Sequence, residues 1–282
     1  MRVILLVLTL PGLIFVARGD YAYEGNSTNA VSATMPPQSQ EGLNVQWLQS
    51  IDQIQRVIPH RVNTLGKFND IFSVGCRAFE LDVIFRNNGV KGFLEIGHDE
   101  ATKTGADLAD FLNRIQLSEV KKIWLDVKNL EENNLDELKE VLIGLDQSFD
   151  LKGKVIFESS MVSARLSEIS DQGFHVSYYL PTDPLLALLR SKNTTLLAQE
   201  AVRISEQIAK QRVIAVSFDA RLYVFVKKWL QKRIPKNIVY HTWDLSLSLN
   251  SKRFVMKMQG KEYFRDPRVQ TILVPFESIF SL

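Results

Sequence analysis

The sequence predicts an α/β protein, a single (β/α)8 TIM barrel with a small extra strand after the second barrel strand. Three observations lead to this fold class. Short runs of β-branched and aromatic residues alternate with segments of helical spacing, which is typical of parallel βα units. There are eight such runs, the number of strands in a barrel of this kind. One more short run follows the second, after the turn-forming sequence Asn87-Asn88-Gly89.

Strands and helices are expected to alternate along most of the chain. The barrel strands are predicted at 56–60, 78–84, 123–128, 155–158, 175–179, 213–218, 238–243 and 271–274, and the extra strand at 92–97. Helices are predicted at 107–115, 135–145, 163–171, 196–209 and 220–232. In the last helix, Phe225 and Val226 lie on an apolar face, and Lys227 and Lys228 lie on a solvated one. Peripheral contact of this basic face with anionic lipid is the alternative interpretation.

The composition limits the class of protein and its partners. The chain has 282 residues, of which 45% are hydrophobic and 23% charged, so it can bury one large core. The formal net charge is +2, without a long basic run or an aromatic-basic repeat that would follow a nucleic-acid backbone. We therefore expect no nucleic-acid partner, and the sequence indicates no obligate protein partner.

The N-terminal residues have the layout of a signal peptide. Arg2 precedes an apolar stretch at 3–16, and the small residues Ala17 and Gly19 follow it. We predict a signal peptide at 1–19 and export to the periplasm or outside the cell, with an uncleaved membrane anchor as the alternative. Residues 20–42 are polar and without apolar periodicity, which predicts a flexible linker before a barrel domain at 43–282.

Cys76 is the only cysteine of the chain. An intrachain disulfide is therefore excluded, although the exported context would favour one. Because Cys76 comes just before an apolar strand, we expect a small buried thiol rather than a reactive one.

Charged residues on two predicted strands indicate a metal site. Glu80 and Asp82 are two residues apart and so share one face of a strand, as do Asp126 and Lys128. In a barrel these side chains enter one pocket at the carboxyl ends of the strands. Burying four ionisable groups is costly unless they pair or bind a cation, and carboxylates suit magnesium or calcium. An ion-pair network in which Lys128 neutralises the acids is the alternative.

Two histidines end strands next to these acids. His60 ends the first barrel strand and His98 follows the extra strand. Phosphodiester cleavage needs one group to deprotonate the nucleophile and another to protonate the leaving oxygen, and histidines do this near neutral pH. His175 and His241 are interpreted as structural, or for His241 as a residue behind the site.

These motifs resemble a known superfamily. The sequence His60-Arg61-Val62-Asn63, then Glu80-x-Asp82, then Gly97-His98-Asp99 resembles the opening of the glycerophosphodiester phosphodiesterases. The first two of these motifs look closer still to the sphingomyelinase D (phospholipase D) toxins, whose Asp-x-Lys strand resembles Asp126-x-Lys128. Residues 240–243 resemble the toxin strand that bears a pocket tryptophan, here Trp243.

The resemblance implies a metal-dependent phosphodiesterase. Its substrates would be glycerophosphodiesters or (lyso)phospholipid headgroups, attacked at phosphorus by water or by the substrate's own hydroxyl. It implies Glu80, Asp82 and Asp126 as ligands of Mg²⁺, with Ca²⁺ as the alternative. It also implies His60 and His98 as the acid–base pair, and Arg61, Asn63, Lys128 and Trp243 as substrate contacts.

The sequence also departs from these families. Val62 stands where the diesterases usually have glycine, and the toxins' disulfide-bonded loops are impossible with Cys76 alone. The Glu-x-Asp strand also resembles the menorin-like barrels, which imply no particular activity. Two alternatives therefore stay open: a non-catalytic barrel that binds a lipid headgroup or sugar in the cell envelope, and a glycoside hydrolase that uses Glu80 or Glu158.

Overall fold

Eight parallel strands and one antiparallel strand form a single sheet in the computed structural model, which describes residues 54–278. The predicted signal peptide and linker, and the first residues of the predicted barrel domain, lie outside the described residues. In chain order the strands are β1 (Val57–His60), β2 (Ala78–Asn87), β3 (Gly92–Ile96), β4 (Lys122–Val127), β5 (Val155–Ser159), β6 (His175–Tyr179), β7 (Ala215–Asp219), β8 (Val239–Trp243) and β9 (Val269–Pro275).

The strands are ordered as in a TIM barrel. Hydrogen bonds join them in the order β1-β9-β8-β7-β6-β5-β4-β2-β3, with only the β2–β3 pair antiparallel. β1 and β2 contact each other, and the Val62 N–H donates to the Glu80 carbonyl oxygen at 2.9 Å. The predicted (β/α)8 barrel is confirmed. The extra strand is confirmed as β3, which forms a hairpin with the end of β2.

Helices cover the outside of the sheet. Their bounds are Leu65–Ser73, Leu108–Arg114, Leu135–Phe149, Ser167–Asp171, Thr182–Ser191, Thr194–Gln211, Tyr223–Phe225, Phe254–Gln259 and Glu262–Arg265. Short 3-10 turns lie at Ile54–Arg56, Leu117–Glu119, Ala164–Leu166 and Ala220–Leu222. Within residues 54–278, no helix combines the length and apolar character that crossing a bilayer would need.

Two predicted helices differ in detail from those in the structure. The segment predicted as one helix at 220–232 begins as a 3-10 turn and becomes a π-helix at Val226–Leu230, because the Gln231 N–H donates to the Val226 carbonyl five residues earlier. The segment predicted at 163–171 is a 3-10 turn followed by a short helix, Ser167–Asp171. The apolar spacing of each segment was recognised, but the hydrogen-bond register within it was not.

The side of the barrel strands that faces the helices is apolar. Phe79, Leu81 and Val83 of β2 point outward and are at most 1% exposed. Inside the barrel, Ile58, Trp124 and Leu273 form a separate apolar cluster, against which Ala78 and Trp243 pack. The polar side chains that point into the barrel therefore lie next to an apolar layer.

Cys76 lies at the amino-terminal side of β2 and is partly buried against the core. Burial raises the pKa of its thiol to about 11. Because the thiolate is the reactive form, this raised pKa disfavours reactivity near neutral pH, which agrees with the interpretation of Cys76 as a structural thiol.

Candidate active site

Three carboxylates meet at the carboxyl end of the barrel. Glu80 and Asp82 project from β2 and Asp126 from β4, where Asp82 and Asp126 are register partners. One ligand oxygen from each lies within 4.8 Å of the other two. Glu80 is 1% exposed, and its Oε1 atom has no hydrogen-bond partner among the described residues. A cluster of oxygen ligands with one unsatisfied buried oxygen fits a hard divalent cation, so these residues are suited to the predicted metal site.

Close packing shifts the pKa values of these carboxylates in opposite directions. Burial, together with repulsion from Asp82 and Asp126, raises the pKa of Glu80 well above its ordinary value. Burial also raises the pKa of Asp126, although Lys128 opposes the effect. For Asp82, burial is outweighed by the Lys128 ammonium and the Asn63 amide, so its pKa is lowered. The surroundings thus favour the protonated form of Glu80, and a cation bound at the cluster would compete with that proton.

Lys128 lies between two of the carboxylates, just past the end of β4. Its Nζ atom is 2.8 Å from Asp82 Oδ1 and 2.5 Å from Asp126 Oδ2. Burial alone would lower the pKa of Lys128, but Asp126 and Asp82 raise it above its ordinary value. The ammonium thus neutralises part of the acidic cluster, while its predicted contact with phosphate stays a prediction.

Two residues that follow β1 hold Asp82 from the other side. The Asn63 side chain donates from Nδ2 to Asp82 Oδ2 at 3.0 Å and accepts from the Asp82 N–H at 3.1 Å. The Arg61 Nε atom is 3.5 Å from the same Oδ2 atom. Both polar atoms of the Asn63 amide are therefore engaged in orienting a carboxylate, whereas the Arg61 side chain is about half exposed and can also meet a substrate.

His60 stands at the carboxyl end of β1, beside the acidic cluster. Its Nε2 atom lies 3.8 Å from Glu80 Oε2, and the side chain is 18% exposed. Burial, with the positive charge of Arg61, lowers the pKa of His60. A neutral imidazole next to a metal-ligand cluster can accept a proton, which is the chemistry predicted for this residue.

His98 approaches from the loop after β3 and is more exposed. Its Nδ1 atom lies 3.1 Å from Asp99 Oδ2. The other Asp99 oxygen accepts from the N–H groups of Ala101 and Thr102 and from the Thr102 hydroxyl, at 2.9 to 3.0 Å. The pKa of Asp99 is lowered to about 2, chiefly by the His98 ring and by Thr102. Asp99 is thus held as an ionised acceptor next to Nδ1 of the imidazole, where it can orient the ring.

Glu158 adds a fourth carboxyl group inside the barrel. It lies on β5 in register with Asp126 on one side and Ser177 of β6 on the other, and it is 2% exposed. Burial, followed by repulsion from Asp126, raises its pKa. Glu158, which the sequence offered as an acid of a possible glycoside hydrolase, therefore lies beside Asp126 in the barrel interior.

Trp243 ends β8 on another part of the barrel rim. Its ring stacks on that of Tyr179, the last residue of β6, with centroids 5.6 Å apart and planes 11° from parallel. Stacking holds the tryptophan ring at the mouth, where it could form a wall of a substrate pocket. Tyr179 was not singled out from the sequence, although an aromatic residue at the same strand end as Trp243 is a usable signal.

The other two histidines lie away from the acidic cluster. His241 is 4% exposed, and its ring packs edge-on against Trp124 with centroids 5.4 Å apart. Burial, followed by the charges of Lys122 and His175, lowers the pKa of His241 to about 3. His175 is exposed at the amino-terminal end of β6, opposite the site. These positions agree with a structural role for His175, and for His241 with a place in the structure or behind the site.

One positively charged side chain close to His60, that of Lys67, was not identified from the sequence. Lys67 belongs to the helix Leu65–Ser73, which was not predicted, and its Nζ atom donates to the carbonyl oxygens of His60 and Arg61. A signal was present, because Thr64 is a suitable N-cap and the apolar residues Leu65, Phe68, Ile71 and Phe72 follow at helical spacing.

The fold was compared with solved structures and with known sequences. A glycerophosphodiester phosphodiesterase from Parabacteroides distasonis ATCC 8503 aligns with a TM-score of 0.51 and 12% identity, over 78% of this chain and 92% of that one. A structure assigned as a glycerophosphoryl diester phosphodiesterase, from Silicibacter pomeroyi DSS-3, aligns with a TM-score of 0.52 and 15% identity, over 78% of this chain and 90% of that one. Another structure with that assignment, from Agrobacterium tumefaciens str. C58, aligns with a TM-score of 0.53 and 10% identity, over 78% of this chain and 92% of that one.

The protein has the fold of the glycerophosphodiester phosphodiesterases. The fold implied by the sequence resemblance is thereby confirmed. The sequence itself matches no protein-family model and no curated protein. At 10 to 15% identity the likeness establishes the fold, and a function has to be argued from the site.

Proposed function

We propose that this protein is a divalent-cation-dependent phosphodiesterase that cleaves glycerophosphodiesters or (lyso)phospholipid headgroups. The observation that carries the proposal is the carboxylate cluster of Glu80, Asp82 and Asp126, whose ligand oxygens lie within 4.8 Å of one another. The unsatisfied Oε1 atom of Glu80 supports a cation there, since buried carboxylate oxygens are rarely left without a partner. Solved structures of this fold named for the same activity support the reaction class.

The cation would be held by the three carboxylates. Mg²⁺ is the proposed ion and Ca²⁺ the alternative, because both prefer oxygen ligands. When bound, the cation would stabilise negative charge on the phosphoryl oxygens during cleavage. Asn63 keeps Asp82 oriented toward the cluster from one side, and Lys128 does so from the other.

Proton transfer would be divided between two histidines. His60, beside Glu80, and His98, oriented by Asp99, would act as the acid–base pair. One would remove the proton of the attacking hydroxyl or water, and the other would protonate the leaving oxygen. Arg61 and Lys128 would provide positive charge for the phosphate, and Trp243 would line the pocket for the rest of the substrate.

A hydrolysis screen tests this proposal. The purified protein would be incubated with glycerophosphocholine, lysophosphatidylcholine and sphingomyelin, each with Mg²⁺, with Ca²⁺ or with a chelator. We expect turnover of at least one diester with a divalent cation and loss of that turnover with the chelator. Absence of hydrolysis with either ion would refute the proposed activity.

A binding protein without catalysis is the second candidate. It is favoured by the Lys128 ammonium, which bonds Asp82 and Asp126 and so neutralises much of the cluster without a metal. Calorimetry separates the two candidates. Binding of a headgroup or sugar without any divalent-cation binding would favour the binding protein. Divalent-cation binding that is present in the unmodified protein and lost in Glu80→Gln would favour the phosphodiesterase.

Export is also a proposal. It is supported by the signal-peptide layout of residues 1–19, with cleavage after Gly19. N-terminal sequencing of the mature protein from its host should begin at Asp20. A chain that begins at Met1 and fractionates with membranes would instead indicate the uncleaved anchor.

A further inference from the structure

The turn that carries His60 into the site has an unusual backbone. Arg61 has a φ of 56°, in the left-handed region that non-glycine residues seldom adopt. Its N–H donates to the Glu80 carboxylate, and the next N–H, from Val62, donates to the Glu80 carbonyl oxygen at 2.9 Å. Strained backbone persists only where its surroundings hold it in place. The N–H groups of this turn are thus held by β2.

The carbonyl groups of the same turn are held by Lys67. Its Nζ atom donates to the His60 carbonyl oxygen at 2.9 Å and to the Arg61 carbonyl oxygen at 2.7 Å. The ammonium also lies 5.9 Å from the ring centroid of Phe276, in the segment that follows β9. Lys67 therefore connects the end of β1 with the last described segment of the chain.

The position of Lys67 in its helix makes this contact specific. Lys67 is the third residue of Leu65–Ser73, and its N–H donates to the Oγ1 atom of the N-cap Thr64 at 3.2 Å. Side chains on a helix lean toward its N-terminus, which directs the ammonium back to the turn. A cation in the first turn of a helix opposes the helix dipole. The two bonds to carbonyl oxygens hold the ammonium there in spite of the dipole.

We propose that Lys67 is a positioning residue that clamps the strained His60–Arg61 turn and so fixes the His60 imidazole against the acidic cluster. The clamp acts through the backbone. The carbonyl bonds hold one side of the turn and the bonds to Glu80 hold the other. The inference rests on the proposed function, because it gives His60 a catalytic task.

Variants at Lys67 test the clamp in the full-length protein. Lys67→Met keeps the aliphatic stem and removes the ammonium, and Lys67→Arg keeps a donor that can reach carbonyl oxygens. We expect Lys67→Met to lower kcat by about 10- to 100-fold with little change in KM, since small misplacement of a catalytic group has effects of that size. Lys67→Arg should recover most of the loss. Lys210→Met, an exposed lysine at the other end of the barrel, is the matched control and should behave like the unmodified protein.

An NMR measurement tests the clamp independently of turnover. In Lys67→Met the amide signals of Arg61 and Val62 should shift and exchange with solvent at least about tenfold faster, because the turn is freed on one side. Unchanged amide signals together with unchanged kcat would overturn the clamp. If Lys67→Met does not fold, Lys67→Gln is measured in its place by the same criteria. If the unmodified protein hydrolyses no diester, the proposed function fails, and the amide signals still decide whether the clamp exists.

Discussion

The Nε2 atom of His60 lies 3.8 Å from the Oε2 atom of Glu80, although the two residues belong to different strands. Glu80 Oε2 also accepts from the Arg61 N–H, so one oxygen of the carboxyl group is directed at the histidine turn. The other oxygen, Oε1, has no partner within the described chain. Glu80 thus links the predicted proton-transfer group to the predicted metal site, and several expectations depend on that link.

Replacement of His60 should abolish most of the activity without unfolding the protein. We expect His60→Ala to lower kcat at least about 100-fold, the usual contribution of a general acid or base. His175→Ala is the control, because that histidine is exposed at the opposite end of the barrel. Steady-state rates with the best diester of the screen are the measurement. Equal rates for the two variants would remove His60 from the mechanism.

Glu80→Gln should separate cation binding from folding. Glu80 is buried with a raised pKa, so replacing it with a neutral isostere should leave the melting temperature of the cation-free protein unchanged or slightly higher. The stabilisation that a bound divalent cation adds to the unmodified protein should be lost. Thermal unfolding with and without Mg²⁺ or Ca²⁺ measures both effects, with the exposed Glu206→Gln as control. A variant that keeps the full cation-dependent shift would exclude Glu80 as a ligand.

Lys128→Met should destabilise the protein in a way that a cation can repair. The change leaves Asp82 and Asp126 without their shared ammonium, and removing one partner of a buried ion pair costs about 3 to 5 kcal/mol. We expect the lower part of that range, because the Lys128 side chain is 23% exposed. Urea unfolding gives the free energy, and added divalent cation should recover part of the loss. No recovery would mean that the acids do not form a cation site.

His241 should make the protein sensitive to acid. Its pKa in the folded state is about 3, below the ordinary value of 6.5, because it is buried. Well above pH 6.5 His241 is neutral in both the folded and the unfolded state, so it contributes nothing to the pH dependence of stability. As the pH falls from 6.5 toward 3, only the unfolded state takes up the proton, so stability falls by up to about 1.4 kcal/mol per pH unit. In His241→Gln the slope of unfolding free energy against pH should decrease over that window. Parallel curves for the two proteins would contradict this assignment.

The aromatic pair at the rim should affect binding more than chemistry. Trp243→Ala removes the ring that stacks on Tyr179, and we expect KM to rise about tenfold with kcat changed less than threefold. Trp243→Phe retains a ring and should recover most of the binding. A fall in kcat at constant KM would instead assign Trp243 to the transition state.

Much of the fold could be predicted because its signals are local. Alternation of period two puts Glu80 and Asp82 on one face of β2, and the apolar neighbours Phe79 and Leu81 on the other, whatever the rest of the chain does. The turn Asn87-Asn88-Gly89 likewise predicted the β2–β3 hairpin, in which Gly89 has a φ of 83° and the Asn87 side chain accepts from its N–H. The helix Leu65–Ser73 was missed although Thr64 and the apolar spacing after it are a local signal, because a pattern of nine residues is short and such a helix is stabilised mainly by packing.

The sequence by itself therefore determined the barrel fold and the residues that point into its mouth, through the period-two pattern of each strand and the residues at the strand ends. The tertiary structure decided how those residues pair. The Lys128 ammonium between Asp82 and Asp126, the stack of Trp243 on Tyr179, and the bonds from Lys67 to the His60 turn all join different elements or strands. Such contacts depend on how strands and helices far apart in the chain are brought side by side, which no local pattern of residues encodes.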